Sequence, residues 1–431
     1  MTTYRVNASD KILRINDLAL IGLVQNFDYN PSLNPTDVYE LGNQARVDTS
    51  YEYEGTGSFE LMASGGLPGI LARMVVQRDA SDIVTGYMYA SGGAGGKNAY
   101  TLTQADFKEM IFDLLEYDRP DAGPFDRSIV MPRCFLTSIG GRADANGMAS
   151  STLHFANEFM YGAPSPYQDQ KSTRCTRTSG TTITTAPTTV WTGFAIAYVY
   201  ANERRFRTVN TDATFVTFTT PGAGLITFTT TEGYSVPTDA LIRVLLYRTA
   251  PTTLYSSVAA GEQTTTANYL KGYMVSIYIA PVSASAPAAT DQWLRVQSID
   301  YNIDLKITVL RQIAQNLLGS AVYARAATYP FDIAVNASCH ETDWADWKAL
   351  LTKTFPGNDF NQDSYDFAPV NMKTTFNIVM IQYTRAGTKL AEFRFTDMRV
   401  EGTGMKIAIG SIGEISWSFK GSVFTLVGYN G

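Results

Sequence analysis

Charge is what this chain has least of. Asp, Glu, Lys and Arg make up 17% of its 431 residues, against roughly 25% in an ordinary soluble protein. Bases are the scarcer kind, and the formal net charge is −6. That argues against a protein that grips nucleic acid by its phosphates, which needs a basic stripe. Cysteine is nearly missing too: Cys134, Cys175 and Cys339 stand alone with no C-x-x-C spacing, which indicates neither a disulfide framework nor a zinc site. Such usage is compatible with assembly in a reducing cytosol. The two histidines have no local partner. His154 lies in the alternating stretch STLHFANEF, and His340 follows Cys339 in a strand, where neighbours point to opposite faces. Long apolar runs are absent: LALIGLV at 18–24 is too short to span a bilayer, and MTTYRVNASDK has no secretory apolar region.

Motifs for chemistry are equally thin. SGGAGGKN at 91–98 has Ser91 where a phosphate loop needs its first glycine and Asn98 where it needs Ser or Thr. Asn7-Ala8-Ser9 and Asn336-Ala337-Ser338 match a glycosylation triplet without the secretory context it requires. Asp118 and Asp121 sit in a Pro/Gly-rich loop with nothing marking an acid/base pair. The expectation is a protein that is not an enzyme and holds no metal or cofactor.

What is present is a repeat. Residues 24–30 read VQNFDYN and residues 296–302 read VQSIDYN. At that offset the match runs without a gap from Val24–Leu61 to Val296–Ile333, with identities at Val24, Gln25, Asp28, Tyr29, Asn30, Leu33, Thr36, Tyr51, Thr56 and Phe59. Composition alone would produce roughly two or three. A duplicated structural unit follows.

The repeat divides the chain into three parts: 1–168, 169–289 and 290–431. Each flanking part opens with a strand, continues to a second strand ending in FEL or FDI, and then predicts a short helix. In the first repeat it is GLPGILARM, with Pro68 early, where its missing N–H costs least; in the second it is TDWADWKALL behind Thr342. Each ends in a hairpin: CFLTSIGG turning through ADANG into SSTLHFANEF, and EFRFTDMRVEG turning through TG into MKIAIGSIGEISWSFKG. The first repeat adds a hairpin tipped by SGGAGGKN and an amphipathic helix TQADFKEMIFDLLEYD, striped by Phe107, Met110, Ile111, Leu114 and Leu115. The Thr-rich middle carries short strand patterns, from VWTGFAIAYVY to NYLKGYMVSIYIA, that predict an inserted β-sandwich or small barrel. TSGTTITTAPTT and APVSASAPAATD bound it as linkers. The fold class is mainly β.

One pattern carries a functional message. VDTSYEYEGTGSFEL (47–61) alternates strictly, with Asp48, Ser50, Glu52, Glu54, Thr56, Ser58 and Glu60 on one face. That is four acids and no base. An ordinary wet sheet face explains part of it, but like charges two apart repel, and a free strand normally dilutes them with Lys. The same register of the second repeat holds Ser320, Thr328 and Asp332.

A duplicated β-unit with one helix, long hairpins, low charge and an acidic strand face resembles the tail tube proteins of tailed bacteriophages, in particular the class with two tube units fused in one chain. The resemblance covers the front 168 and back 140 or so residues and rests on pattern rather than a signature motif. It implies two tandem β-barrel or sandwich units, each with a flanking helix, and an immunoglobulin-like decoration domain, here inserted between the repeats rather than terminal. Three chains would form a pseudo-hexameric ring, and stacked rings a tube with a negatively charged lumen for DNA. Strands 47–61 and 319–333 would line that lumen, and Gly92, Gly93, Gly95, Gly96 and Lys97 in the hairpin 83–103 would reach the next ring. Implied partners are further copies, tape measure, tail terminator and distal tail proteins, and passing genome DNA without specific binding; no membrane is implied. The place would be the virion tail, assembled in the host cytoplasm. A baseplate or distal tail ring protein shares the fold. A β-sandwich carbohydrate-binding module is the alternative of another class, although Trp191, Trp293, Trp344, Trp347 and Trp417 are scattered rather than clustered.

Overall fold

Alternating apolar and polar residues make strands of almost every element. The computed structural model describes residues 11–15, 18–20, 24–39, 46–62, 66–78, 84–87, 100–118, 127–157, 161–164, 171–179, 182–185, 194–201, 204–207, 216–218, 225–230, 242–248, 270–282, 284–293, 295–311, 322–340, 375–406 and 413–429. The first part holds β1 (Lys11–Ile15), β2 (Leu18–Ala19), β3 (Val24–Tyr39), β4 (Arg46–Met62), helix α1 (Leu67–Ala72), β5 (Val76–Arg78), β6 (Val84–Tyr87), β7 (Tyr100–Leu102), β8 (Ile111–Asp118), β9 (Arg127–Asp144), β10 (Ser150–Asn157) and β11 (Tyr161–Pro164). The middle holds β12 (Lys171–Ser179), β13 (Thr182–Thr185), β14 (Phe194–Ala201), β15 (Arg204–Arg207), β16 (Val216–Phe218), β17 (Leu225–Thr230) and β18 (Ile242–Arg248). The last holds β19 (Val275–Pro281), β20 (Val296–Asp304), β21 (Ile307–Arg311), β22 (Val322–Ala327), β23 (Asp332–His340), β24 (Phe376–Tyr383), β25 (Lys389–Lys406), β26 (Glu414–Gly421) and β27 (Val423–Gly428).

Sixteen strands of both repeats join one antiparallel sheet along the path β19-β24-β25-β26-β23-β20-β9-β10-β4-β3. The path is open, so among the described strands neither repeat closes a barrel of its own. The repeats meet where β20 pairs β9 and again where β7 pairs β27. The duplication is far more regular than the sequence match. Leu114 pairs Met131 and, 264 positions on, Ile378 pairs Phe395. The same offset carries His154↔Ser138 onto Ser418↔Gly402 and Tyr161↔Val130 onto Thr425↔Arg394. The β-bulges coincide as well: between Phe112 and Leu114 as between Phe376 and Ile378, and beside His154/Phe155 as beside Ser418/Phe419, leaving Thr137 and Glu401 as the extra residues. A third bulge skips Gln25 in β3 and Gln297 in β20, inside the repeated heptad.

Several expectations change. Asp28 pairs Ser58 while its counterpart Asp300 pairs Asn336, so the second strand is offset by 278, not 272. The gapless match therefore holds for β3 alone, because the longer connection in the second repeat moves the returning strand by six residues. TQADFKEMIFDLLEYD is a short 3-10 turn, Asp106–Lys108, followed by strand β8. Its apolar stripe suits a strand as well, and pairing with β1 and β9 decides the matter. The strands beside SGGAGGKN do not form one hairpin: β6 pairs β5 and β7 pairs β27. β25 runs on through Thr403 and Gly404, where a turn was expected. β19, counted with the middle by its composition, pairs β24. TSGTTITTAPTT contains β13, which pairs β12 and β17. The seven described middle strands follow one order, β15-β14-β18-β12-β13-β17-β16, with β12 bonded to both β13 and β18. Helix α1 forms where expected, with Pro68 in its first turn, whereas TDWADWKALL lies outside the described residues.

The core lies on one face of the long sheet. Phe112 in β8 meets Phe155 in β10 edge-on at 5.9 Å, and Phe376 in β24 meets Phe419 in β26 edge-on at 5.6 Å. These are the same two positions of each repeat. All four rings are buried to within about a percent, so the strands beyond the bulges fold back over the apolar face of the strands before them.

Candidate functional site

The candidate functional surface is the opposite face, and the strand period of two builds it. In β4, Gly55, Phe59 and Leu61 are buried, while Glu54, Thr56, Ser58 and Glu60 are partly or fully exposed. Directly paired residues share a face, so the ladder carries this surface across the strands. Asp28 stands opposite Ser58, Ser58 opposite His154, Arg142 opposite Asp300, Asp300 opposite Asn336 and Asn336 opposite Ser418. Eight strands from β3 to β25 thus present one polar face spanning both repeats.

Side chains lace this face. Asn336 Nδ2 donates to Asp300 Oδ2 at 2.8 Å, Ser418 Oγ donates to Asn336 Oδ1 at 2.8 Å, and the Ser298 and Ser338 hydroxyls are 2.8 Å apart. Acids outnumber bases on it: Asp28, Glu54, Glu60, Asp144, Asp300, Asp304, Asp332 and Glu414 share it with Arg142, Arg399 and Lys420 and, by register opposite Glu414, Lys406. Asp304 even stands opposite Asp332, an arrangement that is unfavourable by itself. Lys306 relieves it, its backbone N–H donating to Asp304 Oδ1 at 2.9 Å and its ammonium lying 2.9 Å from Asp332 Oδ2.

The expected lumen residues divide accordingly. Glu54, Thr56, Ser58, Glu60 and Asp332 lie on the polar face, and Asp332 occupies the position of Glu54 in the second repeat, not that of Glu60. Thr328 is exposed and its hydroxyl is 2.6 Å from that of Thr308. The side chains of Asp48, Ser50 and Glu52 lie outside the described residues, as do Ser320 and the inter-ring candidates Gly92, Gly93, Gly95, Gly96 and Lys97. Asp28, Asp144, Asp300, Asp304 and Glu414 also lie on this face, where no local run of alternating acids marks them. A signal for two of them was present, since Asp28 and Asp300 are identical positions of the heptad.

Among the described residues no cluster of three or more His, Cys, Asp or Glu could hold a metal ion, and no helix is long and apolar enough to cross a membrane. Cys339 is buried, and burial pushes its thiol up to about 11. His340 follows it on the other face of β23.

A separate polar network closes the far end of the second repeat. Glu392, 5% exposed, accepts hydrogen bonds from Arg394 at 2.8 Å and from the Tyr429 hydroxyl at 2.9 Å. Burial first, then the bond to Glu392, raise the Tyr429 hydroxyl to about 12.

No protein-family model matches this chain, and no curated protein does. Among solved structures, a cryo-EM structure of the anti-feeding prophage (AFP) baseplate, 6-fold symmetrised, is similar over 36% of this chain and 91% of that one. The identity is 9% and the TM-score 0.24.

Proposed function

We propose that the chain is a structural virion protein that polymerises as stacked rings, three chains to a ring, forming a tail tube with an acidic channel for DNA. The observation that carries this is the joint between the repeats. Two copies of one strand unit, matched bulge for bulge, continue each other's sheet through β9 and β20. A unit that continues its neighbour's sheet suits a ring, because closing the sheet across subunits removes its edges. The acid-rich face supports a channel through which a polyanion slides without binding.

End-on class averages of the purified protein in the electron microscope test this. Rings or tubes with a central hole and six lobes, alternating in two shapes, are expected. Monodisperse particles of single-chain mass at every concentration would overturn the proposal. Single rings that never stack would favour a baseplate or distal tail ring protein.

A further inference from the structure

The internal joint has a counterpart that the single chain leaves open. β9 carries β10 and β11 along one edge, and on the other edge β8 and β20 lie end to end. β25 likewise carries β26 and β27 along one edge, but on its other edge only β24 is present. Nothing among the described residues pairs there with residues 399–406. At the other end of the path β3, the equivalent of β20, pairs only β4 among the described residues. Its core-facing Phe27 and Tyr29 are half-buried, whereas the matching Ile299 and Tyr301 at the completed joint are 1% and 4% exposed.

We infer that β3 of one chain pairs antiparallel with β25 of a second copy, in the register of β20 on β9. This rests on the ring proposal above and names the edges that would build it. Asp300↔Arg142 in the internal joint becomes Asp28 opposite Lys406, and Asn302↔Gly140 becomes Asn30 opposite Gly404. Both rungs keep their residue types, an acid opposite a base in the first and the same two residues in the second; in the inner joint Arg142 itself is held by Asp144 at 2.8 Å and Asp300 by Asn336. The Leu305 N–H donates to Thr137 O and the Ala145 N–H to Gln297 O, so odd-numbered residues of β20 turn their backbone groups toward β9. Asp300 and Arg142, and likewise Asp28 and Lys406, are therefore a non-hydrogen-bonded pair, the kind whose side chains approach most closely.

The outer joint differs from the inner one in two ways. Pro31 stands where Ile303 stands, at a position whose N–H would face outward, so this ladder lacks one donor. Met405 takes the place of Gly141, whose added Cβ would lie 2.4 Å from the Tyr301 ring. Tyr29 needs no such gap on its outer side. It leans inward, its hydroxyl donating to Asn157 Oδ1 at 2.9 Å above Gly55. By register Lys406 stands opposite Glu414 of its own chain, and Asp28 opposite the neutral Ser58, with Glu60 one rung along the same face.

The test is the full chain carrying Asp28→Cys and Lys406→Cys, with Cys175→Ser so that only the buried Cys134 and Cys339 remain beside the new pair. It is assembled under reductant, imaged, then oxidised and run on a non-reducing gel. Covalent species of two and three chain masses, with none from a chain carrying only one of the two introduced cysteines, are expected. Rings in the image without covalent species would overturn this joint and leave the ring proposal standing. Parent chains that form no rings, with no covalent species from the double variant, would overturn both. Charge reversal supplies a second reading. Asp28→Lys and Lys406→Asp are each expected to raise the concentration needed for assembly by on the order of tenfold, and the double reversal to restore it. Circular dichroism must match the parent in all three; failure of the double reversal to recover would count against the pair.

Discussion

Single positions decide how closely the layers and repeats approach. Gly141 is the clearest case, because the Tyr301 ring of the second repeat occupies the space where its Cβ would sit. Gly141→Ala is expected to cost about 1–3 kcal/mol in thermal or denaturant unfolding, and Tyr301→Leu in the same chain to recover part of it. Truncating Phe112 or Phe376 to Ala should cost about 3–5 kcal/mol each, and the similarity of the two losses would report the equivalence of the two sites. The Tyr429 hydroxyl predicts a pH effect of definite sign. Its pKa is raised to about 12 from 10.0, so above pH 10 the unfolded chain loses a proton that the folded chain keeps. Stability is thus expected to fall between pH 10 and 12, and Tyr429→Phe should flatten that part of the curve in pH-dependent melts. In a chain with Cys134→Ala and Cys175→Ser, Cys339 should resist maleimide at pH 7 until the protein is unfolded.

At the scale of elements, the bulges at Thr137 and Glu401 do what no side chain does. Each lets an eighteen-residue strand serve two layers, with β8 and β11 against its first half and β10 against its second in the first repeat. Removing the extra residue shifts the register by one and turns the buried face of the following segment outward. Deletion of Thr137 is therefore expected to abolish soluble protein, while Thr137→Ala leaves a melting curve close to the parent's. Elements also show where sequence pattern stops being informative. β10 and the hairpin it forms with β9 were legible from STLHFANEF, since strict alternation is a local property. β8 was not, because its apolar stripe fits a helix or a strand, and the choice was made by β1 and β9, more than ninety and about ten residues away in sequence respectively.

For the whole molecule the consequence is an acid-rich sheet face shared by two repeats. If that face lines a DNA channel, Glu52→Lys with Glu54→Lys should still assemble but slow or block DNA delivery, measured as infectivity of particles carrying the variant. Normal infectivity would count against the channel assignment. Raised salt should promote assembly of the parent chain, because screening weakens repulsion among exposed acids, and sedimentation across a salt series reads this directly.

The amino-acid sequence by itself determined the β class, the alternating faces of β4 and β10, the early proline of α1 and the existence of a duplication. The first three depend on residues a few positions apart, and the duplication on one short heptad written twice. The tertiary structure alone decided which strands neighbour one another. The offset of 264 that aligns β8 through β11 with β24 through β27 leaves few identical residues, among them Phe112 with Phe376, Gly140 with Gly404 and Phe155 with Phe419. A strand position constrains only face and size, so many residues satisfy it and the trace in sequence fades while the ladder persists. The joint of β20 on β9 was equally out of reach, since it closes a long connection and its backbone hydrogen bonds are open to almost any side chain.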